Sequence, residues 1–301
     1  MKEYEKMRQE MLKILEESER LGRTQEQIQI LLDDLQHEYN NASVEDFDGL
    51  SPYQMSSLLQ NNLTGGSIVT LNSGSGDEMP LIKQIKYFLN LLNAQQKIKL
   101  TATGALPVQI VKDIYSQGFI KDEIVELGLR KIAKERDIDT VILTRVLCEL
   151  LNLTKKRKNI LTLADSAFEI INSGELFKKI FKAFAYEFNW AYFDRYWDEK
   201  FAQSCFEYSL YLFGKYGGEF RKTSFYAQKY TEAFFKDKLD KMFPRQCAED
   251  LPDYTYDCYQ RRFFEKFLEY FGFVEYESKD IFKEFVVKKS PLFDKYISIK
   301  Y

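Results

Sequence analysis

The amino-acid sequence predicts a mainly α fold with small β-hairpins, in which tandem winged-helix-like units follow an N-terminal helical hairpin. Three observations lead there. One local pattern occurs three times: an apolar-striped helix runs into a short strand, a polar tip and a return to apolar residues. It is found at IKYFLNLLNAQQKIKLTATGALP from Ile85, VLCELLNLTKKRKNILTL from Val146 and FLEYFGFVEYESKDIFKEFVVKKSPLF from Phe267. The apolar period changes from helical to alternating within each copy, and a helix closed by a small hairpin is how a winged helix ends. Secondly, only 14 Gly and 6 Pro interrupt 301 residues, which favours long helices with few breaks. Thirdly, apolar residues recur at helical spacing through most of the chain.

Residues 1–45 read as a helical hairpin. Met7, Met11, Ile14 and Leu15 share one face of a first helix, and Ile28, Leu31, Leu32, Leu35 and Tyr39 share one face of a second. Leu21-Gly22 ends the first, and Thr24 with Gln27 forms a capping box that starts the second. Ten acidic residues stand against six basic ones over residues 1–40. The stripes of this acidic hairpin must bury somewhere, on the body of the protein or on a second copy.

Residues 46–174 read as two winged-helix-like units. Ser51 caps a helix with Pro52 at its first position and Gln54 reaching back. The stretch 61–78 is a polar, glycine-containing loop with a short strand near Ile68 to Leu71. A helix from Pro80, striped by Ile82, Ile85, Phe88, Leu89 and Leu92, leads to the strand KIKLT, a turn at Gly104 and a helix opened by Pro107. A helix near Asp137 to Leu151 precedes the second hairpin. Residues 175–301 read as an aromatic-rich helical domain: helices broken at Gly217-Gly218, a loop over 243–253, and a helix over 254–271 leading to the third hairpin.

Composition limits the function classes. Charged residues make up 30% of the chain, yet the net charge is only -3, and a dedicated non-specific DNA binder is normally basic. The cysteines Cys148, Cys205, Cys247 and Cys258 are widely spaced, and His37 is the single histidine. Zinc sites and histidine-based catalysis therefore lack their usual ligands, and no metal, cofactor or catalytic residue is expected. The charged opening MKEYEKMRQE is unlike a signal peptide, and no apolar stretch approaches the ~20 residues needed to span a bilayer. A reducing, cytoplasmic setting away from the membrane is the expectation.

Two basic features are the candidate nucleic-acid site. Lys155, Lys156, Arg157 and Lys158 stand at the tip of the second hairpin, where a wing meets the phosphate backbone. From Met79 to Lys112 there is no acid, while Lys83, Lys86, Lys97, Lys99 and Lys112 are present, with Gln84, Asn90, Asn93, Gln95 and Gln96 as further donors. A solvated surface is the competing reading of both. The helix before the wing carries Asp139 and Glu149, acids that repel phosphate rows.

Other constellations have plainer readings. Gly74-Ser75-Gly76 is followed by Asp77-Glu78, not by the Lys-Ser or Lys-Thr of a P-loop, so a flexible loop with helix-start acids is expected. Asp194, Asp198 and Glu199, mixed with Arg195 and Lys200, read as a salt-bridged surface. Phe181, Phe184, Phe188 and Tyr192 recur at helical spacing, as core packing does.

The segments LSPYQMSSLLQNNL, MPLIKQIKYFLNLL, LTATGALPVQIVKDIY, LLNLTKKRKNILTL and FGFVEYESKDIFKEFVVKKSPLF resemble an uncharacterised bacterial family with winged-helix-like units, from about Phe47 onward. Some members carry a cysteine-rich zinc-binding tail. These 301 residues contain no such stretch, so the resemblance implies no zinc here, and it supports the fold more than an activity. The leading functional expectation is a non-catalytic scaffold or protein-interaction protein, with an unknown protein partner or self-association through the hairpin. The alternative is a nucleic-acid-binding regulator with weak, charge-driven binding.

Overall fold

The computed structural model describes residues 2–60, 63–194, 196, 199–236, 251–278 and 284–300. The protein is mainly helical with small antiparallel sheets. Helices α1 (Lys2–Leu21) and α2 (Gln25–Asn41) form the N-terminal hairpin and pack on each other. The capping box is reciprocal: the Thr24 amide donates to Gln27 Oε1 at 3.0 Å, and the Gln27 amide donates to Thr24 Oγ1 at 3.3 Å. Tyr39 donates to Glu10 across the hairpin at 3.1 Å. Met7, Met11, Ile14 and the α2 stripe are only half-buried, Leu15, expected with them, is exposed, and α2 contains no buried residue, yet it rests on α3 (Pro52–Gln60). Ser51 and Gln54 make a second capping box at the start of α3.

The body repeats one order of elements. In the first unit α4 (Pro80–Gln95) leads to β2 (Ile98–Lys99), then α5 (Val108–Ser116), the short α6 (Glu123–Glu126), α7 (Asp139–Leu150), and the hairpin of β3 (Thr154–Arg157) with β4 (Ile160–Leu163). Its sheet runs in the order β2-β4-β3. Two linking helices follow, α8 (Asp165–Asn172) and α9 (Leu176–Lys182), the latter continuing as a π-helical turn over Ala183–Glu187. In the second unit α10 (Phe206–Tyr216) leads to β5 (Arg221–Lys222), then α11 (Thr223–Phe234) and α12 (Leu251–Tyr259), with a π-helical continuation over Gln260–Leu268. The unit closes with β6 (Val274–Ser278) and β7 (Val286–Lys289), in the order β5-β7-β6. In both sheets the strand after the first helix pairs with the last strand. The chain then forms α13 (Pro291–Tyr296) and β8 (Ile297–Ile299), which pairs antiparallel with β1 (Val69–Leu71), far back in sequence.

The three expected hairpins thus resolve into two three-stranded sheets. The strand after α4 does not fold back on a local partner: Ile98 pairs with Leu161 and Lys99 with Ile160. The reason is the turn that follows. The Gly104 amide donates to the Thr101 carbonyl, the Thr101 amide donates to the Ala105 carbonyl, and Pro107 then caps α5, leaving no residues for a return strand. Pro107 is the cap itself, not the first helical residue. The loop expected over 243–253 is also corrected at its end, because α12 begins at Leu251 with Pro252 in its first turn. Pro244, Cys247 and the tip of the last hairpin lie outside the described residues.

The core is largely aromatic. Phe181 and Phe184 on the α9 rod meet Phe267 at ring distances of 5.0 and 5.2 Å, and Trp190 stacks on Phe267 at 4.7 Å. Such pairs are each worth about 0.5–1.5 kcal/mol beyond area burial. Phe188 joins this core, whereas Tyr192, expected with it, is exposed, because the helical period ends before Trp190.

One carboxylate ties the N-terminal region to the second unit. The side chain of Asp48 is 7% exposed and accepts from Lys215 Nζ at 2.8 Å, Lys229 Nζ at 2.5 Å and Tyr216 OH at 3.0 Å. Burial pushes its carboxyl up, but the hydrogen bonds from Lys215, Lys229 and Tyr216 prevail and hold it below its ordinary value. Its contribution is therefore present above the usual carboxylate range and lost as pH falls through the lowered folded value. Asp48→Asn should cost about 2–3 kcal/mol at neutral pH in urea denaturation, and the difference from the parent should narrow below about pH 4.

Candidate nucleic-acid interface

The tip of the β3–β4 hairpin is a tight two-residue turn. Lys158 and Asn159 both take left-handed backbone angles, with φ of 47° and 59°, which suits the twist of a hairpin. The Asn159 carbonyl accepts from the Leu100 amide at 2.8 Å, fastening the tip to the end of β2. Directly paired residues share a face of the sheet. Lys99, Ile160 and Arg157 therefore stand on one face together with Lys155 and its partner Thr162. Lys156 shares the opposite face with Ile98 and Leu161, both buried. Its ammonium lies over Gly104, where a Cβ would come within 2.8 Å of Nζ. Lys155 is paired with Asp165 at 2.7 Å, an exposed contact worth little.

The eight basic candidates do not form one patch. Lys97 and Lys99 adjoin the wing, but Lys83 and Lys86 occupy the first turns of α4, roughly 20 Å from Lys97 along the helix axis at 1.5 Å per residue. Lys86 is also engaged by Asp77. Gln84, expected as a surface donor, is buried and donates to the Thr140 carbonyl at 3.0 Å and to Thr144 Oγ1 at 2.9 Å. It faces α7, because positions 81, 82, 84, 85, 88 and 89 of this helix are all buried. Lys112 lies elsewhere, on α5.

The helix before this hairpin offers no reading face. On α7, Thr140 to Thr144, Leu147 and Cys148 are buried, and Leu150 is the one exposed residue. Its charges are matched. Arg145 binds Glu135 at 2.6 Å and Glu149 at 2.7 Å, and Asp139 binds Lys266 of the second unit at 2.9 Å. The π turn after α9 covers α7. In the second unit no residue from Gln260 to Leu268 is exposed. That unit's sheet is also neutralised: Arg221, Lys222, Lys288 and Lys289 meet Glu219, Glu284, Glu275 and Asp294 at 2.7–3.9 Å.

The remaining candidates resolve differently from expectation. The Gly74–Gly76 loop is packed, not free. A Cβ at Gly74 would come within 2.5 Å of the Tyr296 ring, and the Gly76 amide donates to Tyr296 OH at 3.3 Å. Its two acids serve as structural partners, Asp77 for Lys86 and Glu78 for Lys295 and Tyr296. Asp194 is no surface residue. It receives a bidentate pair from Arg262, at 2.8 Å on each oxygen, with both side chains essentially buried. Asp198 lies outside the described residues. Among the described residues no group of three His, Cys, Asp or Glu is placed to hold a metal, and no helix is long and apolar enough to cross a membrane.

Sequence reasoning missed Glu207, whose helix reads simply as aromatic and apolar. It is 3% exposed, accepts from Tyr186 OH at 2.8 Å, and has no cation paired with it among the described residues. It also missed an open cleft of about 720 Å³ beside α5; the signal was the spacing of Val108, Lys112 and Tyr115. No family model, no curated protein and no solved structure matches the chain.

Burial pushes the Glu207 carboxyl up to about 7, against hydrogen bonds from its own backbone and Tyr186 that pull it down. The folded protein thus holds this proton more tightly than the unfolded chain. Stability should fall as pH rises from the ordinary range near 4.5 to about 7, and stay lowered above it. Glu207→Gln removes the titration while keeping an acceptor. Relative to the parent, its melting temperature should be higher at pH 8 than at pH 5; an identical pH dependence of parent and variant contradicts this.

Proposed function

We propose that this protein is a non-catalytic interaction or scaffold protein built on two winged-helix units, in which the helix before each wing serves as a packing surface. The repeated order helix, strand, helix, helix, hairpin supports the winged-helix reading, as does the pairing of the first strand with the last in each sheet. One observation carries the functional reading. A major groove about 12 Å wide admits a helix only if that helix presents a bare face, and α7 with Gln260–Leu268 has a single exposed residue, Leu150. A reducing, cytoplasmic setting is part of the proposal, supported by the thiols of Cys148 and Cys205, neither of which is in a disulfide.

A second reading, charge-driven contact with nucleic acid, is favoured at one place only. Arg157 and Lys158 at the first wing, with Lys97 and Lys99 beside them, are exposed and unpaired among the described residues, in contrast to the neutralised second sheet. Fluorescence anisotropy with unrelated duplexes over a salt series tests both readings. The expected result is weak, salt-sensitive binding without sequence preference. Each phosphate contact contributes about -0.9 to the salt slope. Replacing Lys155, Lys156, Arg157 and Lys158 by alanine should flatten the slope by about 2 units, the share of Arg157 and Lys158, because Lys155 is already paired and Lys156 faces the Gly104 turn. Tight, sequence-selective binding that survives the substitution contradicts the scaffold reading.

A further inference from the structure

Two unsatisfied surfaces of this chain have complementary chemistry. The first is the cleft between α5 and the segment before α7, about 720 Å³, with Val108, Tyr115 and Ile132 as its apolar lining and Lys112 and Lys131 at its mouth. Both lysines are exposed, and neither is in an ion pair among the described residues. Neighbouring carboxylates are already engaged. Glu126 is held by Tyr115 and Lys121, Asp122 by Arg130, Asp113 by Tyr87 and Glu135 by Arg145. Lys112 and Lys131 therefore bring unpaired positive charge to the cleft. Its apolar character extends past α6, where Leu127 and Leu129 are 63% and 73% exposed.

The second surface is the outer face of α1. Met7, Met11 and Ile14 turn toward the hairpin interior, half-buried, whereas Leu12, Leu15, Glu16 and Glu19 are all exposed. These four stand at i, i+3, i+4 and i+7, the spacing of one helical face. Two leucines followed by two glutamates match an apolar cleft with two lysines at its mouth, the arrangement of a helix laid in a groove.

We infer that a second copy of this chain is the partner, its α1 seated in this cleft with Leu12 and Leu15 against Val108, Tyr115 and Ile132, and with Glu16 and Glu19 on Lys112 and Lys131. The inference rests on the interaction-protein reading and names its partner. Within one chain both surfaces stand open, and the root of the hairpin is fixed elsewhere, at Asp48 on Lys215 and Lys229 of the second unit. Two copies exchanging hairpins satisfy both surfaces twice around a two-fold axis, which closes the assembly.

Light scattering after size exclusion, at high micromolar protein, reads the outcome. The parent should be a dimer. The double variants Glu16→Lys/Glu19→Lys and Lys112→Glu/Lys131→Glu change exposed residues only, so each should keep the parent's circular-dichroism melt and run as a monomer. An equimolar mixture of the two should dimerise again, because each reversed helix then meets a reversed cleft and each native helix a native cleft. A monomeric parent, a dimer that persists in both variants, or a mixture that stays monomeric overturns the inference. None of these results bears on the scaffold reading, which stands or falls on duplex binding.

Discussion

The structure depends on the burial of one long helix. From Cys258 to Tyr276, through the π-helical stretch and into β6, no residue is exposed. Such a helix normally consists of apolar residues alone, yet this one carries Arg262 and Lys266. Charges taken out of water are tolerated only when matched. Arg262 is matched by the two oxygens of Asp194 and donates also to the Phe201 carbonyl at 2.9 Å. Lys266 reaches Asp139 at the start of α7 and lies over the Phe193 ring. The π geometry, which adds a residue per turn, is common where a helix must aim side chains at special partners. Here it accompanies an arginine and a lysine, each carried to its carboxylate, among the rings of Phe263, Phe264 and Phe267.

That burial determines what the two units do for each other. The Lys266–Asp139 pair joins the buried helix of the second unit to the first turn of α7, and the π turn after α9 also packs on α7. β8 returns to pair with β1, and Tyr296 fills the space over Gly74 and accepts from the Gly76 amide. The helices before the two hairpins are thus consumed in holding the molecule together. Exposed charge is left at the tip of the β3–β4 hairpin, and exposed apolar residues at the N-terminal hairpin and around α6. A protein organised in this way has its contact surfaces on its periphery.

Local features were legible in the sequence. Thr24 with Gln27 and Ser51 with Gln54 announce helix starts because each bonds within three residues. The second hairpin is legible because its apolar alternation and polar tip are contiguous. Pairings between distant segments were not. Ile98–Lys99 has the same local pattern whether it turns back on itself or joins β4, and only the tertiary arrangement decides. Gln84 reads as a surface amide, yet Thr140 and Thr144 of α7 lie opposite it and bury it. Asp194 looks like a surface acid because its partner, Arg262, is 68 residues away. Of the candidate site, the charge at the wing was visible, but the division of Lys155 and Arg157 from Lys156 follows from strand register. The wide separation from Lys83 and Lys86 follows from the length of α4.

A native cysteine lies in each of the two sealed helices, Cys148 in α7 and Cys258 in α12, both with essentially no exposure. Burial also pushes the Cys148 thiol well above its ordinary value, so little reactive thiolate forms there. Alkylation of the native protein near neutral pH, with each site read by mass spectrometry, therefore tests the sealing directly. Cys148 and Cys258 should remain unmodified in the folded protein and react fully once it is denatured. Modification of either site in the folded protein at the rate seen in denaturant would contradict the account, because the helix before that hairpin would then present an open face.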